Sequence, residues 1–157
     1  MLKAIAQVLL SVVLVSLAAL FALAVWERLV PHRVLRKWWH VSVPMFRSSA
    51  GIVPGWVLLE TIGRRTGGPR RVPVGGRKKG DIVWLVAAHA RKVFYVRNIE
   101  ANPRVRVRAN GRWYEGTASV RPDDNARRRM MWCSPINGLF LLIAATDFVS
   151  IRVDLSR

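Results

Sequence analysis

Short apolar runs separated by turns recur through much of the chain with the periods of β-strands. Residues 56–62 (WVLLETI) and 82–88 (IVWLVAA) are apolar runs of strand length, and residues 148–155 (FVSIRVDL) alternate between apolar and polar positions. Residues 70–76 (RRVPVGG) predict another strand, in which Pro73 favours an edge or a bulge because proline has no N–H to donate. These runs alone therefore predict four strands.

The clearest hairpin signal lies in the middle of the chain. Arginine alternates with valine over residues 104–108, as expected for a strand with one wet face. The following Asn110-Gly111 pair favours a two-residue hairpin turn, and residues 112–120 predict the returning strand. About six strands joined largely by hairpins favour a mainly β (α+β) fold, a small antiparallel β-barrel with helices outside it.

Three segments predict helices around this barrel. Residues 93–102 have helical spacing and end before a proline, which disfavours helix in the residue that precedes it. Residues 123–132 predict a helix whose N-cap is Asp123 or Asp124. Residues 136–145 (INGLFLLIAA) predict a buried helix or turn that is too short to span a membrane.

The N-terminal part is a different kind of sequence. Residues 4–26 contain no charged side chain, and about 20 apolar residues suffice to span a bilayer. A cleaved secretory signal is the alternative, since Lys3 precedes the run and the ALAV stretch near Ala24 resembles a cleavage site. The length of the run and the basic residues after it favour an anchor in the cell membrane with the rest of the chain in the cytoplasm. We therefore divide the chain into an anchor with a juxtamembrane helix, residues 1–43, and a domain, residues 44–157.

The juxtamembrane segment, residues 27–43, has a helical pattern of its own. Its apolar residues, which include the Trp38-Trp39 pair, can share one helix face, with basic residues near the other. Such a helix suits the membrane interface. A linker helix that packs on the domain is the other interpretation, and the two are compatible.

Positive charge is concentrated in the domain. The chain has a formal net charge of +17, of which residues 1–43 carry +4 and residues 44–157 carry +13. Anionic lipid headgroups, nucleic acid and polyanionic small ligands are the partners that such charge attracts. Nucleic acid is disfavoured, because the aromatic residues lie mostly in apolar strands and do not alternate with the basic ones.

The usual catalytic sets are missing from the sequence. No cluster of His, Cys and Asp has the spacing of metal ligands, so no metal site is predicted. The few scattered acids argue against a paired-carboxylate hydrolase. Cys133, beside Trp132, is interpreted as a buried apolar residue. If the chain is an enzyme, its chemistry should belong to a cofactor.

The turn between two predicted strands, residues 63–70 (GRRTGGPR), is the strongest candidate for a binding site. Its glycines free the backbone to point N–H groups toward an anion, and its arginines present fork-shaped donors that suit phosphate. The phosphate-binding motifs GxxxxGK[ST] and GxGxxG are both absent. Two interpretations stay open: a turn that binds phosphate, and a basic turn that faces lipid headgroups.

Three blocks, LLETIGRRTGGPRRVPV, WLVAAHARKVFYVRNIEANPRVRV and WYEGTASV, resemble the deazaflavin (F420)-dependent nitroreductase and quinone reductase family. The resemblance covers residues 56–122. It implies a split β-barrel of the flavin-reductase-like type and the coenzyme F420, an 8-hydroxy-5-deazaflavin whose phosphodiester and oligoglutamate tail are polyanionic. FMN, which related split barrels use, is the less favoured cofactor.

The resemblance also implies which residues contact the cofactor. The turn is expected to bind the phosphate and tail, the second strand to lie along the ring, and the end of the central strand to lie near both. The implied residues are Arg64, Arg65, Thr66, Gly67 and Arg70 in the turn; Pro73 and Val74 in the second strand; Ala87, Ala88 and His89 at the end of the central strand; and Tyr95 and Asn98 in the block that follows. Asn98 has a second interpretation, as a polar group that caps its own helical turn. No catalytic residue is implied.

The chain departs from the family pattern at two places. The segment WCSPINGLFLLIAATDF lacks the tyrosines that line the substrate pocket in this family, and the loop after the central strand is shortened to AHARK. The loss of hydroxyls favours an apolar acceptor, such as a menaquinone-like quinone, or another lipophilic or nitro compound.

The sequence therefore predicts a membrane-anchored oxidoreductase that passes a hydride from reduced F420 to a quinone. The alternative is a non-catalytic, membrane-tethered protein that binds F420 or anionic lipid. A homodimer is compatible with a split barrel.

Overall fold

The computed structural model of the chain describes residues 1–30, 34, 47–90, 93–145 and 147–156. Within these ranges, one long N-terminal helix precedes a domain of six strands and three helices. Most of the predicted juxtamembrane helix, and the boundary placed after residue 43, lie outside the described residues.

Six antiparallel strands form the domain: β1 (Trp56–Ile62), β2 (Pro69–Lys79), β3 (Ile82–Ala88), β4 (Arg104–Ala109), β5 (Arg112–Arg121) and β6 (Phe148–Leu155). They close into a barrel in the order β1-β2-β3-β6-β5-β4. The predicted barrel is therefore confirmed. The first, third and last strands begin and end where the hydrophobic pattern predicts, whereas β2 is longer at both ends than its prediction.

The alternation of apolar and polar residues along the strands fills the barrel. In β4, Val105 and Val107 are buried, whereas Arg104 and Arg106, which alternate with them, are exposed. Burying such an apolar side chain contributes about 1.5–3 kcal/mol, so the alternation fixes which face of each strand turns inward. Three other strands complete the core with the fully buried residues Leu59, Val83, Leu85, Ile151 and Val153.

Strands β2 and β3 pair along only part of their length. Their ladder starts with Gly75 opposite Val86 and continues to Lys79 opposite Ile82. The earlier part of β2 is paired with β1 alone, and the last residues of β3 are paired with β6 alone. We call the resulting gap, between residues 69–74 of β2 and residues 87–88 of β3, the β2–β3 opening.

Pro73 lies on the one-sided stretch of β2, opposite Leu58 of β1. A proline is tolerated in a sheet where a strand lacks a neighbour on one side, because a missing N–H then breaks no ladder. The predicted edge position of Pro73 is therefore confirmed.

Three helices lie against the barrel. Helix α2 (Phe94–Ala101) packs against β1 and β5 and adds Val96 and Ile99 to the core. Helix α3 (Ala126–Cys133) packs against β2, β3 and β6, and helix α4 (Pro135–Ala144) packs against α3.

The start of α3 differs from its prediction. The N-cap is Asn125, whose side chain accepts a hydrogen bond from the Arg128 N–H at 3.0 Å, and neither Asp123 nor Asp124 fills that position. Asp124 instead accepts two hydrogen bonds from the Arg129 guanidinium, at 2.8 and 3.0 Å. Because the Asp124 carboxylate is ion-paired with Arg129, it does not cap the N-terminus of α3.

The buried helix or turn predicted for residues 136–145 is a helix, α4, but it is buried only in part. Ala144 and Ala145 are buried, whereas Leu139 is 57% exposed. One face of α4 therefore turns away from the domain.

The N-terminal helix α1 (Leu2–Leu29) covers the predicted apolar run. Its segment Ile5–Trp26 is long and apolar enough to cross a membrane, judged by length and composition. Most described side chains of α1 are exposed, but Ala24 is fully buried. Since α1 packs against α4, the domain meets this helix near the C-terminal end of its apolar segment.

Candidate functional site

The arginine-rich turn joins β1 to β2, and its own backbone closes it. The Gly63 N–H donates to the Gly68 carbonyl at 2.8 Å, and the N–H groups of Thr66 and Gly67 donate to the Gly63 carbonyl at 3.1 and 2.7 Å. Gly67 has a φ of +67°, a conformation that glycine adopts without a steric penalty. The glycines therefore build a tight turn whose side chains project from a fixed backbone.

Asn98 of α2 fastens this turn to the rest of the domain. Its Oδ1 accepts a hydrogen bond from the Arg64 N–H at 3.3 Å, and its Nδ2 donates to Thr61 Oγ1 at 3.1 Å. Asn98 is 7% exposed and Thr61 is 1% exposed, so the bond between their side chains is shielded from water, where losing a partner is costly. The bond from the Arg64 N–H is partly buried. The interpretation that the Asn98 side chain caps its own helical turn is therefore wrong, because it binds the turn and β1.

These bonds correct one part of the anion-binding hypothesis. The four N–H groups named above all donate within the protein, so they do not point toward an anion. The side chains of Arg64, Arg65 and Arg70, in contrast, are exposed. Within the described residues, none of the three has a carboxylate partner. An anion at this turn would therefore meet these guanidinium groups.

A cavity of about 510 Å³ adjoins the turn. Gly67 lines it from the turn, and Arg104 and Arg106 line it from β4. Glu60 and Glu115 also line it, but both are ion-paired with Arg106. Arg104 has no carboxylate partner in the described part of the chain, so it places one unpaired cation in the cavity next to the turn.

The residues implied to hold a ring lie at the β2–β3 opening. Pro73 and Val74 come just before Gly75, and Ala87 and Ala88 come just after Val86, the two residues that form the first β2–β3 pair. His89 follows with a φ of +64°. Val74 is 4% exposed and Ala87 is fully buried, so their side chains belong to the core, whereas the other three are half-buried. A ring in the opening would therefore meet Pro73, Ala88 and His89.

Tyr95 lies in α2 and packs against the barrel core. Burial raises the pKa of its phenol well above the usual range, so the hydroxyl stays protonated and able to donate a hydrogen bond.

The turn and the opening are joined by residues 70–73 of β2, and the turn is joined to α2 by Asn98. The implied residues thus occupy one connected region.

Sequence reasoning missed Asn137, in the first turn of α4. Its Nδ2 is buried and has no hydrogen-bond partner among the residues that the structure describes. This atom lies 3.4 Å from the position that a Cβ on Gly75 would take, and Gly75 forms the first pair of the β2–β3 ladder. The unpaired donor is therefore at the edge of the opening. The one available signal was a lone polar amide within the apolar run INGLFLLIA.

Cys133 takes no part in this arrangement. It is 3% exposed, and burial raises the pKa of its thiol to about 12. The thiol therefore stays neutral near pH 7 and lacks the thiolate character of a nucleophile. Its interpretation as a buried apolar residue is confirmed.

A family model for F420H(2)-dependent quinone reductases matches residues 38–137, well over half of the chain. The matched segment contains the turn, the β2–β3 opening and α2. The chain belongs to the F420H(2)-dependent quinone reductase family. It is accordingly an oxidoreductase that uses coenzyme F420, as the resemblance implied. A comparison with curated protein sequences finds no significant match.

Solved structures agree with the split-barrel fold. A domain-swapped dimer superposes with a TM-score of 0.52 at 17% identity, over 79% of this chain and 99% of that one. General Stress Protein 26 from Bacillus anthracis str. Sterne superposes with a TM-score of 0.51 at 18% identity, over 71% and 87% of the two chains. An F420-H2 Dependent Reductase (FDR-A) has a TM-score of 0.47 at 17% identity, over 63% and 93%. The first two likenesses carry the fold assignment, which is a flavin-reductase-like split barrel.

The residues present fit the coenzyme of this family. Unpaired arginines on a rigid turn suit its phosphate and carboxylates, since guanidinium binds both with two parallel hydrogen bonds. The β2–β3 opening offers backbone and small side chains, and Asn137 offers an unpaired donor beside it. A carbonyl oxygen of a bound ring could accept a hydrogen bond from the Asn137 Nδ2.

Proposed function

We propose that the protein is a membrane-anchored reductase that reduces a menaquinone-like quinone with F420 at the cytoplasmic face of the membrane. The unpaired Arg64, Arg65 and Arg70 beside the β2–β3 opening carry this proposal, because they provide a polyanion site next to a place for a ring. When bound, the reduced deazaflavin supplies a hydride from its C5, and the quinone takes this hydride and one proton to become a quinol.

The chain contributes orientation and charge compensation. The turn arginines hold the phosphate and the oligoglutamate tail through charge-assisted hydrogen bonds. Asn98 fixes the backbone from which Arg64 projects. Pro73, Ala88 and His89 border the ring, while the core packs behind it. Holding the two reactants in contact converts a bimolecular step into one within a complex, which is a large part of the rate.

The acceptor is inferred from the apolar surroundings and the N-terminal helix. A prenyl tail keeps a quinone in the bilayer, because each buried methylene contributes about 0.8 kcal/mol. The enzyme must then meet its substrate at the membrane surface. Helix α1, which packs against α4, would hold the domain there. The Phe140 and Leu142 side chains of α4 are half-buried and offer apolar surface without hydroxyls, whereas Leu139 is turned outward.

The positive flank of α1 supports a cytoplasmic domain. Arg28 follows the apolar segment, and further basic residues follow it in the sequence. A reporter that is active only in the cytoplasm should be active when it is fused to the C-terminus, and a reporter that is active only outside it should not. A mature chain that starts near Val25 would show that the segment is a cleaved signal. A homodimer is also compatible with this proposal, and one of the structurally similar proteins is a domain-swapped dimer.

The decisive experiment measures the oxidation of reduced F420 by full-length protein in liposomes that contain menaquinone. We expect turnover, and we expect a variant without residues 1–43 to bind F420 normally and to reduce a short-tailed, soluble quinone at nearly the full rate. On liposomal menaquinone the shortened variant should be slower by at least roughly tenfold, since its effective concentration at the membrane is lost.

Each arm has an outcome that contradicts it. Equal rates on liposomal menaquinone would show that the anchor has no role in substrate access. If full-length protein binds F420 but oxidises its reduced form with no quinone or nitro compound, the non-catalytic binding protein replaces the reductase.

A further inference from the structure

The outward face of α4 adjoins an exposed part of α3. Leu139 is 57% exposed and Met131 is 37% exposed. The two helices touch here, because a Cβ on Gly138 would lie 3.0 Å from the Met131 Sδ. Met131 and Leu139, the neighbour of Gly138 in α4, are therefore exposed apolar residues near the contact between the two helices, and we treat them as one apolar patch.

Two arginines border this patch. Arg127 and Arg128 are exposed, and they precede Met131 by four and three residues in α3, so the three share one helix face. An apolar centre with a cationic rim is the pattern of a surface that lies in the headgroup layer of a membrane. Guanidinium groups suit lipid phosphates, and basic residues are drawn to anionic leaflets. We call Arg127, Arg128, Met131 and Leu139 the α3–α4 patch.

The position of α1 places the patch at the level of the membrane surface. Helix α1 packs against α4, and its fully buried residue is Ala24. Ala24 precedes Trp26, the last residue of the apolar segment, by two positions, which is about 3 Å along a helix axis. If α1 spans the bilayer, α4 meets it where the hydrocarbon gives way to the headgroups.

We propose that the α3–α4 patch rests in the headgroup layer of an anionic bilayer, with Leu139 and Met131 immersed and Arg127 and Arg128 on lipid phosphates. This inference rests on the proposed membrane anchoring by α1. It also gives a lipid-tailed quinone a short route, because Asn137, which lies against Gly75 at the opening, is two residues from Leu139 in α4.

The test places an environment-sensitive fluorophore on the full-length protein in single-copy nanodiscs made of phosphatidylcholine and phosphatidylglycerol. Leu139→Cys carries the probe in one sample. Arg112→Cys, exposed in the β4–β5 hairpin, carries it in the matched control. The native Cys133 is buried and should not be labelled. We expect a blue-shifted emission at position 139 that spin-labelled lipid quenches, and neither effect at position 112.

Two further arms identify what covers the patch. Arg127→Gln with Arg128→Gln should reduce the quenching at position 139 in anionic nanodiscs and leave it unchanged in purely zwitterionic ones. A blue shift that appears only when two copies share a disc would show that a second copy covers the patch and would overturn the proposal.

Extraction of membranes with alkaline carbonate separates this proposal from the anchoring on which it rests. If the protein is extracted, the anchoring fails, and this inference fails with it. If the protein stays in the membrane while probes at positions 139 and 112 report the same aqueous surroundings, the anchoring stands and this inference alone is wrong.

Discussion

Two neighbouring residues of β2, Arg70 and Arg71, have opposite electrostatic surroundings. Arg71 pairs in register with Glu60 and donates to its Oε2 at 2.6 Å. Arg70 pairs in register with Thr61, which already accepts a hydrogen bond from Asn98. Within the described residues, Arg71 is ion-paired with a carboxylate and Arg70 is not.

The paired arginine belongs to a row of alternating charges that crosses four strands. Glu60 bridges Arg71 and Arg106, and Arg106 also faces Glu115. Both arginines lie over the ring of Trp113, at 5.4 and 5.2 Å from its centroid. Such a row uses its charges to join strands, and a cation over an aromatic face adds to it.

The comparison teaches that arginine count alone does not mark a binding site in a chain with so much positive charge. Arg71 and Arg106 serve the barrel, because both are ion-paired with Glu60, whose side chain is only 10% exposed, and Arg106 also pairs with Glu115. Arg64, Arg65 and Arg70 have no carboxylate within the described residues. Their charge is therefore available to an anionic ligand.

The largest effect is expected from removing two of the unpaired arginines. The double variant Arg64→Ala, Arg70→Ala should weaken F420 binding by about 1.5–3 kcal/mol for each charged hydrogen-bonding group lost. Fluorescence titration of F420 gives the affinity. The loss should be larger for F420 with its oligoglutamate tail than for its tail-less precursor.

Arg71→Ala is the matched control for that double variant. It removes one cation from the next position of the same strand, but one whose charge Glu60 already offsets, so F420 affinity should change little. Equal weakening by Arg70→Ala and Arg71→Ala would mean that net charge, and not the unpaired turn, attracts the cofactor. Equal weakening of the tailed and tail-less forms would mean that the arginines do not hold the tail.

The next effect concerns the residue that fastens the turn. Asn98→Leu leaves the Arg64 N–H and the Thr61 hydroxyl without their partner, so we expect a loss of about 1–3 kcal/mol in the free energy of unfolding. F420 affinity should also fall, because the backbone that carries Arg64 is released. Urea denaturation and F420 titration measure the two effects.

Thr61→Val separates stability from positioning. It removes the hydroxyl that accepts from Asn98 Nδ2 but keeps the bond from the Arg64 N–H. Stability should fall while F420 affinity is retained. If Thr61→Val weakens F420 binding as much as Asn98→Leu does, the link to Arg64 is not what positions the turn.

A smaller effect is expected from removing the negative charge of Glu60, which is ion-paired with Arg71 and Arg106. Glu60→Gln keeps the shape of the side chain and removes the charge that Arg71 and Arg106 share. Both arginines are about half exposed, so solvent screening limits the loss of unfolding free energy to about 1–2 kcal/mol. F420 affinity should be unchanged or higher at low salt, because two cations near the cavity lose their counter-charge.

Glu115→Gln is the control for Glu60→Gln. The Glu115 side chain is 77% exposed and lies 3.7 Å from Arg106, so its removal should have little effect on stability. A fall in F420 affinity on Glu60→Gln would indicate that the charge row itself shapes the binding site.

The sequence predicts the barrel well because local patterns determine it. Alternation fixes β4 and β6, and Asn110-Gly111 fixes the hairpin between β4 and β5, so each strand can be found from its own residues. The failures concern side-chain contacts that no local pattern shows. The N-cap of α3 was wrong because Asp124 is held by Arg129, five residues further along, and the exposure of Leu139 depends on how α4 packs against α1 and α3.

The candidate site shows the same division. The arginines of the turn were found because glycine, arginine and proline cluster in one stretch of sequence. The tie between Asn98 and Arg64 could not be found, because it joins residues on separate elements. Asn137 was missed for the same reason, since only the fold brings its unpaired donor next to Gly75, at the edge of the opening.

The last effect, no larger than that of Glu60→Gln, is a pH dependence that comes from another paired arginine. The hydrogen bond from Arg129 lowers the pKa of Asp124 to about 2 from a usual value of 3.8, although burial opposes the shift. Because the folded-state pKa lies below the unfolded one, this carboxylate stabilises the fold above pH 3.8 and loses that contribution as the pH falls toward 2. We expect the contribution to be about 1–2 kcal/mol. Asp124→Asn should lower the free energy of unfolding near pH 6 by this amount, and the difference from the unaltered protein should vanish near pH 2. Urea denaturation between pH 2 and 6 measures it. A difference that stays constant across that range would mean that Asp124 stabilises α3 through its shape and hydrogen bonds, without a contribution from its charge.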